Sequence, residues 1–214
     1  MERKINELYD EYKIMPNLRE HMFRVAAVAS LICDNFEGEI NKKDIVSACL
    51  LHDMGNIVKF KLDLHPHLNE PKGMEYWQQV QEEFRNKYSN DDHLANCLIA
   101  KEIGVNKRVV ELIESISFLG AQENALNPDF GKKVVDYADN RAAPFGIASI
   151  DERFADLRKR YAHHKNNTTE RDVFESSIRK IEEQIFQKCK IKPEDINDTT
   201  VAPIISELRN FVIG

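Results

Sequence analysis

The sequence predicts an all-α protein, and three observations carry that prediction. Apolar residues recur at helical spacing along most of the chain. Only 8 Gly and 7 Pro interrupt 214 residues, which leaves room for long helices. No segment keeps the apolar–polar alternation of a half-buried strand.

Taken in order, a short helix is expected over Ile5 to Ile14. Pro16-Asn17 then offers a start signal, with Asn17 as the N-cap. From Leu18 to Phe36 the positions Met22, Val25, Val28, Ala29 and Ile32 fall on one helical face, and Gly38 closes the segment. Asn41 is placed to cap the next helix, which carries Ile45, Val46, Ala48, Cys49, Leu50 and Leu51 into His52-Asp53. That helix is apolar around most of its circumference, so it should be central. Residues 56 to 73 (NIVKFKLDLHPHLNEPKG) read as a loop broken by Pro66, Pro71 and Gly73, of a length typical of a lid or a site rim.

Helices resume at Met74–Tyr88, Asp92–Ile103, Asn106–Leu119 and Gly131–Arg141. Gly104 suits a helix C-terminus, and Asn127-Pro128 marks a turn. After Pro144 and Gly146 come a charged helix over Asp151 to His164 and another from Thr169 or Glu170 to about Lys190. A short amphipathic piece over Pro203 to Val212 follows. There is no internal repeat and no low-complexity stretch. The organisation expected is a helical metal-binding unit over residues 1–150, its core from about 17 to 145, with a helical extension over 151–214 packed on it.

Composition bounds the function. With 42% hydrophobic and 31% charged residues the chain is globular rather than disordered. A net charge of −6 argues against a nucleic-acid surface, yet local Arg or Lys groups still suit a small anion. Cys33, Cys49, Cys97 and Cys189 form no CxxC pair, and the first three sit in apolar helical patterns as buried thiols. The charged start MERKINELYDEYK is unlike a signal peptide, and the apolar runs are too short to cross a membrane. A cytoplasmic protein is expected, and a homo-oligomer is compatible with the sequence.

The chemistry concentrates at His52-Asp53. Burying an imidazole beside a carboxylate is costly unless something pairs them, and a divalent metal would do so. His21 upstream and an aspartate downstream have the chemistry to complete a site. In KKVVDYADNRAA both Asp136 and Asp139 qualify, and spacing alone does not choose between them. Imidazole and carboxylate ligands suit Mn, Fe, Co, Ni or Zn, and less well Mg or Ca. Four ligands leave open positions on an octahedral ion, where water is acidified and a phosphoryl oxygen polarised. For each residue there is a plainer role: a lone His on an apolar face is more often a satisfied core histidine, and a helix Asp is often only a surface carboxylate.

The order His, His-Asp, Asp, with LLHDMG after an apolar helix and YADN downstream, resembles the HD-domain superfamily of metal-dependent phosphohydrolases. The resemblance covers about residues 17 to 145. It implies one divalent ion on His21, His52, Asp53 and Asp139, with Asp53 also orienting or deprotonating water, and a small phosphorylated substrate such as a nucleotide. Arg24, one turn beyond His21, and Arg141 are the candidate phosphate anchors; a salt bridge is the plainer role for each. His93 and Glu75 are candidate leaving-group acids. Tyr76 and Trp77 could stack on a base, although core packing is the commoner use.

The chain departs from the family pattern at Asn56, where many relatives have lysine; Lys59 and Lys61 follow closely. Subfamilies with two metals use two further histidines. His93 resembles the first, but LIESISF offers Ser115 and Ser117 where the second would fall, and His65 and His67 in the loop are only remote substitutes. This disfavours a di-iron oxygenase, the main alternative activity. A non-catalytic regulatory module that keeps a metal as structure is the other alternative. The run Arg158, Lys159, Arg160, His163, His164 and Lys165 reads as a solvated helix face, with a subunit contact or an anionic effector site as the alternatives. SIDERFADLRKRY resembles a C-terminal element of one HD-hydrolase subgroup and adds no substrate.

Overall fold

The computed structural model describes residues 2–64, 66–144, 146–160 and 168–214. Eleven α-helices run through the described residues: α1 Ile5–Glu11, α2 Pro16–Asn35, α3 Lys42–Leu51, α4 Met74–Lys87, α5 Asp92–Ile103, α6 Lys107–Ser115, α7 Ala121–Leu126, α8 Phe130–Arg141, α9 Ile150–Arg160, α10 Thr168–Phe186 and α11 Asp198–Leu208. The strands are two-residue pieces, too short to leave an alternation in the sequence. β1 (Arg3–Lys4) pairs antiparallel with β4 (Val212–Ile213), and β2 (Ala142–Ala143) with β3 (Gly146–Ile147). The fold is all-α, as the periodicity predicts.

The core is built on α2, α3 and α8. Helix α2 packs against α3, α8 and α11, and α3 against α6 and α8. Small residues make this close contact possible: Ala26, Ala27, Ala29 and Ala48 are fully buried between larger neighbours such as Phe23, Ile32 and Leu50. Every residue from Ile45 to Leu51 is buried, so α3 is the central helix its composition calls for. Helix α10 covers α7 and α8, and α11 returns to α2. Cys33, Cys49 and Cys97 are buried free thiols; burial pushes Cys33 up to about 12 and Cys97 to about 11.

Several boundaries differ from expectation, each for a local reason. Asn17 is not the N-cap of α2. Pro16 opens the helix, where its missing N–H and fixed φ are no penalty, so Asn17 falls inside, and its buried Oδ1 has no hydrogen-bond partner. The expected helix over 106–119 ends at Ser115. Ser117 Oγ then accepts from the Gly120 N–H at 3.0 Å, and the turn feeds a separate helix, α7. The last helix begins at Asp198 rather than Pro203. Asn197 caps it, accepting from the Thr199 and Thr200 N–H groups, and Thr200 Oγ1 accepts in return from the Asn197 N–H. The expected helix over 151–164 runs into residues 161–167, which include His163, His164 and Lys165 and lie outside the described residues.

The stretch 56–73 holds two 3-10 turns, Asn56–Lys59 and Pro66–Asn69. Side chains of α4 pin it down. Gln81 donates to the carbonyls of Ile57 and Phe60, Arg85 to that of Val58, and Trp77 Nε1 to that of Asn69. Trp77 is therefore a buried clasp between helix and loop and is not available to stack on a ligand. Glu75 is exposed on the first turn of α4.

Candidate metal centre

Three core helices deliver the site. His21 lies in the second turn of α2, His52 and Asp53 follow the last turn of α3, and Asp139 lies in the last turn of α8. His21 Nε2 is 3.0 Å from Asp139 Oδ1 and 3.5 Å from Asp53 Oδ2. His52 Nε2 is 3.4 Å from Asp139 Oδ1 and 3.6 Å from Asp53 Oδ1. One ligand atom each from His21, His52 and Asp53 falls within 4.8 Å of the others, and Asp139 joins that group through both histidines. Ligands about 2.1 Å from a common octahedral centre stand about 3 Å apart along each edge, close to the spacings seen here.

The donor set fits a cation. His52 Nδ1 donates to the Cys49 carbonyl at 2.8 Å, so in the neutral ring Nε2 carries the lone pair. That atom is buried, has no hydrogen-bond partner, and faces two carboxylates. A lone pair beside two anions needs a positive charge between them. With a proton as that charge, burial lowers the His52 pKa but Asp53 and Asp139 outweigh it, and the group is pushed up to about 9. For Asp139, burial is opposed by the hydrogen bond with His21 and by the two imidazoles beside it, His21 and His52, which hold it well below the ordinary carboxylate range.

Helical phase separates the two aspartates of α8. Asp136 is buried and accepts from Asn124 Nδ2 at 2.8 Å, away from the histidines, whereas Asp139 meets them. Burial raises the Asp136 carboxyl to about 7, above its value near 4 in an unfolded chain. The unfolded state then loses its proton first, so stability falls as pH rises from about 4 to about 7, by up to about 4 kcal/mol, and is level above that. Asp136→Asn should remove this dependence. Thermal unfolding in EDTA should show the variant gaining over the parent chain at pH 8 and gaining little near pH 4.5. An equal difference at both pH values would mean that Asp136 ionises as an ordinary carboxylate.

The turn after the pair is held by close contact. A Cβ on Gly55 would stand 2.7 Å from Ala95 Cβ and 2.9 Å from the Asn96 backbone nitrogen, so only glycine lets the turn approach α5. The Gly55 N–H donates to Asn96 Oδ1 at 2.6 Å, and Asn96 Nδ2 donates to Asn56 Oδ1 at 3.2 Å. Asn56 is thus a buried amide in the support of the turn. Tyr9, from α1, donates its hydroxyl to the Leu50 carbonyl at 2.6 Å and satisfies one orphan acceptor at the end of α3.

The basic residues separate. Lys59, from the turn after Asn56, donates to Asp92 at 2.6 Å. Burial opposes its charge, but Asp53, Asp92 and Asp139 outweigh that and raise its pKa. Lys59 and Asp139 line the same cavity of about 640 Å³, which α9 and α10 close on another side. Arg24, at i+3 from His21, is half-buried and makes no hydrogen bond or ion pair among the described residues.

Arg141 corrects the sequence reading. It is buried, and its guanidinium donates to the carbonyls of Ala148, Pro193 and Ile196 and to the Tyr137 hydroxyl. It ties α8 to the segment before α11 and has no donor left for a phosphate. Residues two apart on a helix do not share a face, so proximity in sequence does not bring Arg141 to the side of α8 that carries Asp139.

His93 is half-buried at the second position of α5 and does not join the ligand cluster. Ser115 Oγ donates to the Leu112 carbonyl. His67 is exposed, and His65 lies outside the described residues. In the basic run Arg158 is clamped by Glu175 and Arg160 by Asp156. Sequence reasoning missed the contribution of α9 and α10 to the cavity; their amphipathic faces were visible, but nothing local said which core helix they meet.

No helix of the described residues is long and apolar enough to cross a membrane. Neither the curated proteins nor the solved structures include a significant match. The HD-domain family model matches residues 18–143, from the first turn of α2 to the end of β2. That stretch is more than half of the chain and contains His21, His52, Asp53 and Asp139, and the protein belongs to the HD-domain family.

Proposed function

We propose that this chain is a phosphohydrolase acting on a small phosphate ester. Membership of the HD-domain family, a superfamily of metal-dependent hydrolases, sets the reaction class. The observation that carries the reading is the buried Nε2 of His52, without a hydrogen-bond partner and aimed at two carboxylates beside a cavity large enough for a small molecule. His21, His52, Asp53 and Asp139 would hold one divalent ion. Such an ion supplies Lewis acidity, acidifying a water and polarising a phosphoryl oxygen.

The protein's own groups do the rest. His52 is fixed in orientation by Cys49, and His21 and Asp139 are fixed by each other. Asp53, partly open to solvent, accepts the proton of the attacking water. Lys59 and Arg24 hold the phosphate, Lys59 in the role that the sequence departure at Asn56 leaves open. Arg141 is excluded by its buried partners.

The test is phosphate release by the full-length protein after chelation and reloading with Mn, Co, Ni, Fe, Zn or Mg, using p-nitrophenyl phosphate and nucleoside monophosphates. Release that appears with one or more of these ions and stops on chelation is expected. Release indifferent to chelation, or none with any ion, overturns the proposal.

A further inference from the structure

The cavity beside Asp139 has an outer wall made by α9 and α10, which lie beyond the family match at residue 143, and by Phe118 and Leu119 in the turn after α6. That wall has two characters. Phe118 stacks on Phe174 with ring centroids 4.6 Å apart, and Phe154 meets Phe174 edge-on at 5.9 Å. Phe118 is 47% exposed and its neighbour Leu119 79% exposed, so apolar surface is left open to water where it faces the cavity.

The second character is charged: Arg153, Arg158 and Arg171 line the wall together with Glu170 and Glu175. Arg158 is clamped by two hydrogen bonds to Glu175, and Arg153 stands 3.7 Å from Asp156. Arg171 also lines the cavity, makes no hydrogen bond or ion pair among the described residues, and has a buried Nε without a partner. A guanidinium nitrogen withdrawn from water with nothing to donate to is costly unless a ligand meets it.

We propose that α9, α10 and the turn after α6 form a leaving-group subsite for a phosphate ester that carries a flat ring and a second negative charge. The ring lies against Phe118 and Phe174, and the second charge meets Arg171. This rests on the hydrolase reading for the reacting end of the substrate; the subsite itself is built only from residues outside the ligand cluster.

Three compounds separate the parts: adenosine 3′,5′-bisphosphate (ring and second charge), adenosine 5′-monophosphate (ring) and ribose 5-phosphate (neither). In the metal-loaded full-length protein, kcat/KM should fall about tenfold at each step, the size of one aromatic contact or one charge-assisted hydrogen bond. Arg171→Gln should erase the first step and leave ribose 5-phosphate unchanged. Phe174→Ala should erase the second; if it does not fold, Phe118→Ala serves, since that ring is half exposed. Equal kcat/KM for the three compounds, or steps that survive these substitutions, overturn the subsite and leave the hydrolase reading standing. Calorimetric binding of the same compounds in EDTA reads the wall without turnover. The same order of affinity with no phosphate released by any ion supports the subsite and refutes the hydrolase. No binding and no release refutes both.

Discussion

His52→Ala and Asp53→Ala should each lower metal-dependent phosphate release by on the order of 10³-fold, the loss expected when several kcal/mol of transition-state stabilisation go with the ion. The two substitutions act on the same cluster in different ways. His52→Ala removes the nitrogen that is buried and oriented by the Cys49 carbonyl, and leaves Asp53 alone to represent the end of α3 in the cluster. Asp53→Ala removes the carboxylate that faces both histidines and the group assigned to accept a proton from water. Stability separates binding from chemistry. A metal concentration 100-fold above Kd stabilises a one-site protein by about 2.7 kcal/mol, and both variants should lose most of that thermal shift. In EDTA they should unfold close to the parent temperature, because each substitution relieves a buried histidine–carboxylate cluster that lacks its cation. Asp53→Asn refines the result: it keeps the size of the side chain and weakens both functions. Metal-dependent release retained in both alanine variants would refute the assignment of the site.

Much of this arrangement was legible in the sequence, and the reasons are physical. Helices α2 and α3 announce themselves because a central helix must be apolar on several faces, and His52-Asp53 stands out as the one polar interruption at the end of such a run. His21 shares the pattern from the neighbouring helix. The choice between Asp136 and Asp139 was different. Both lie near the end of α8, and periodicity alone does not say which face meets α2 and α3; only packing separates the buried Asn124-bound carboxyl from the one beside the histidines. Lys59 is one of two lysines in a loop whose shape depends on Gln81 and Arg85 of α4, contacts that the loop's own sequence does not signal. The cavity wall from α9 and α10 depends on contacts between segments far apart in sequence, and these leave no local signature. Helix α7 was missed for another reason, since the Ser117–Gly120 turn that precedes it looks like the tail of α6.

Arg141→Ala should destabilise the fold by about 3–5 kcal/mol, the range for removing one member of a buried, charged hydrogen-bond network. The guanidinium satisfies the carbonyls of Ala148, Pro193 and Ile196 at once, and its contact with the Tyr137 hydroxyl continues to Glu182 through a 2.6 Å hydrogen bond. Truncation strands those acceptors and breaks the link between the end of α8, the residue after β3 and the approach to α11. For a chain of this length the melting temperature should fall by on the order of 10 °C. Arg141→Lys should recover only part of the loss, because one ammonium cannot reproduce the planar fork that meets acceptors on several sides. Turnover gives the opposite contrast. Well below the melting transition, Arg141→Ala should keep the parent KM for a phosphate ester, whereas Arg24→Ala should raise KM at unchanged stability. A raised KM in Arg141→Ala with the melting temperature intact would return that arginine to the phosphate and displace it from the architecture, an outcome its buried partners oppose. Asp139 lies only two residues before Arg141, so the same stretch of α8 would carry the reacting end of the site and the bolt that fastens the C-terminal helices to it.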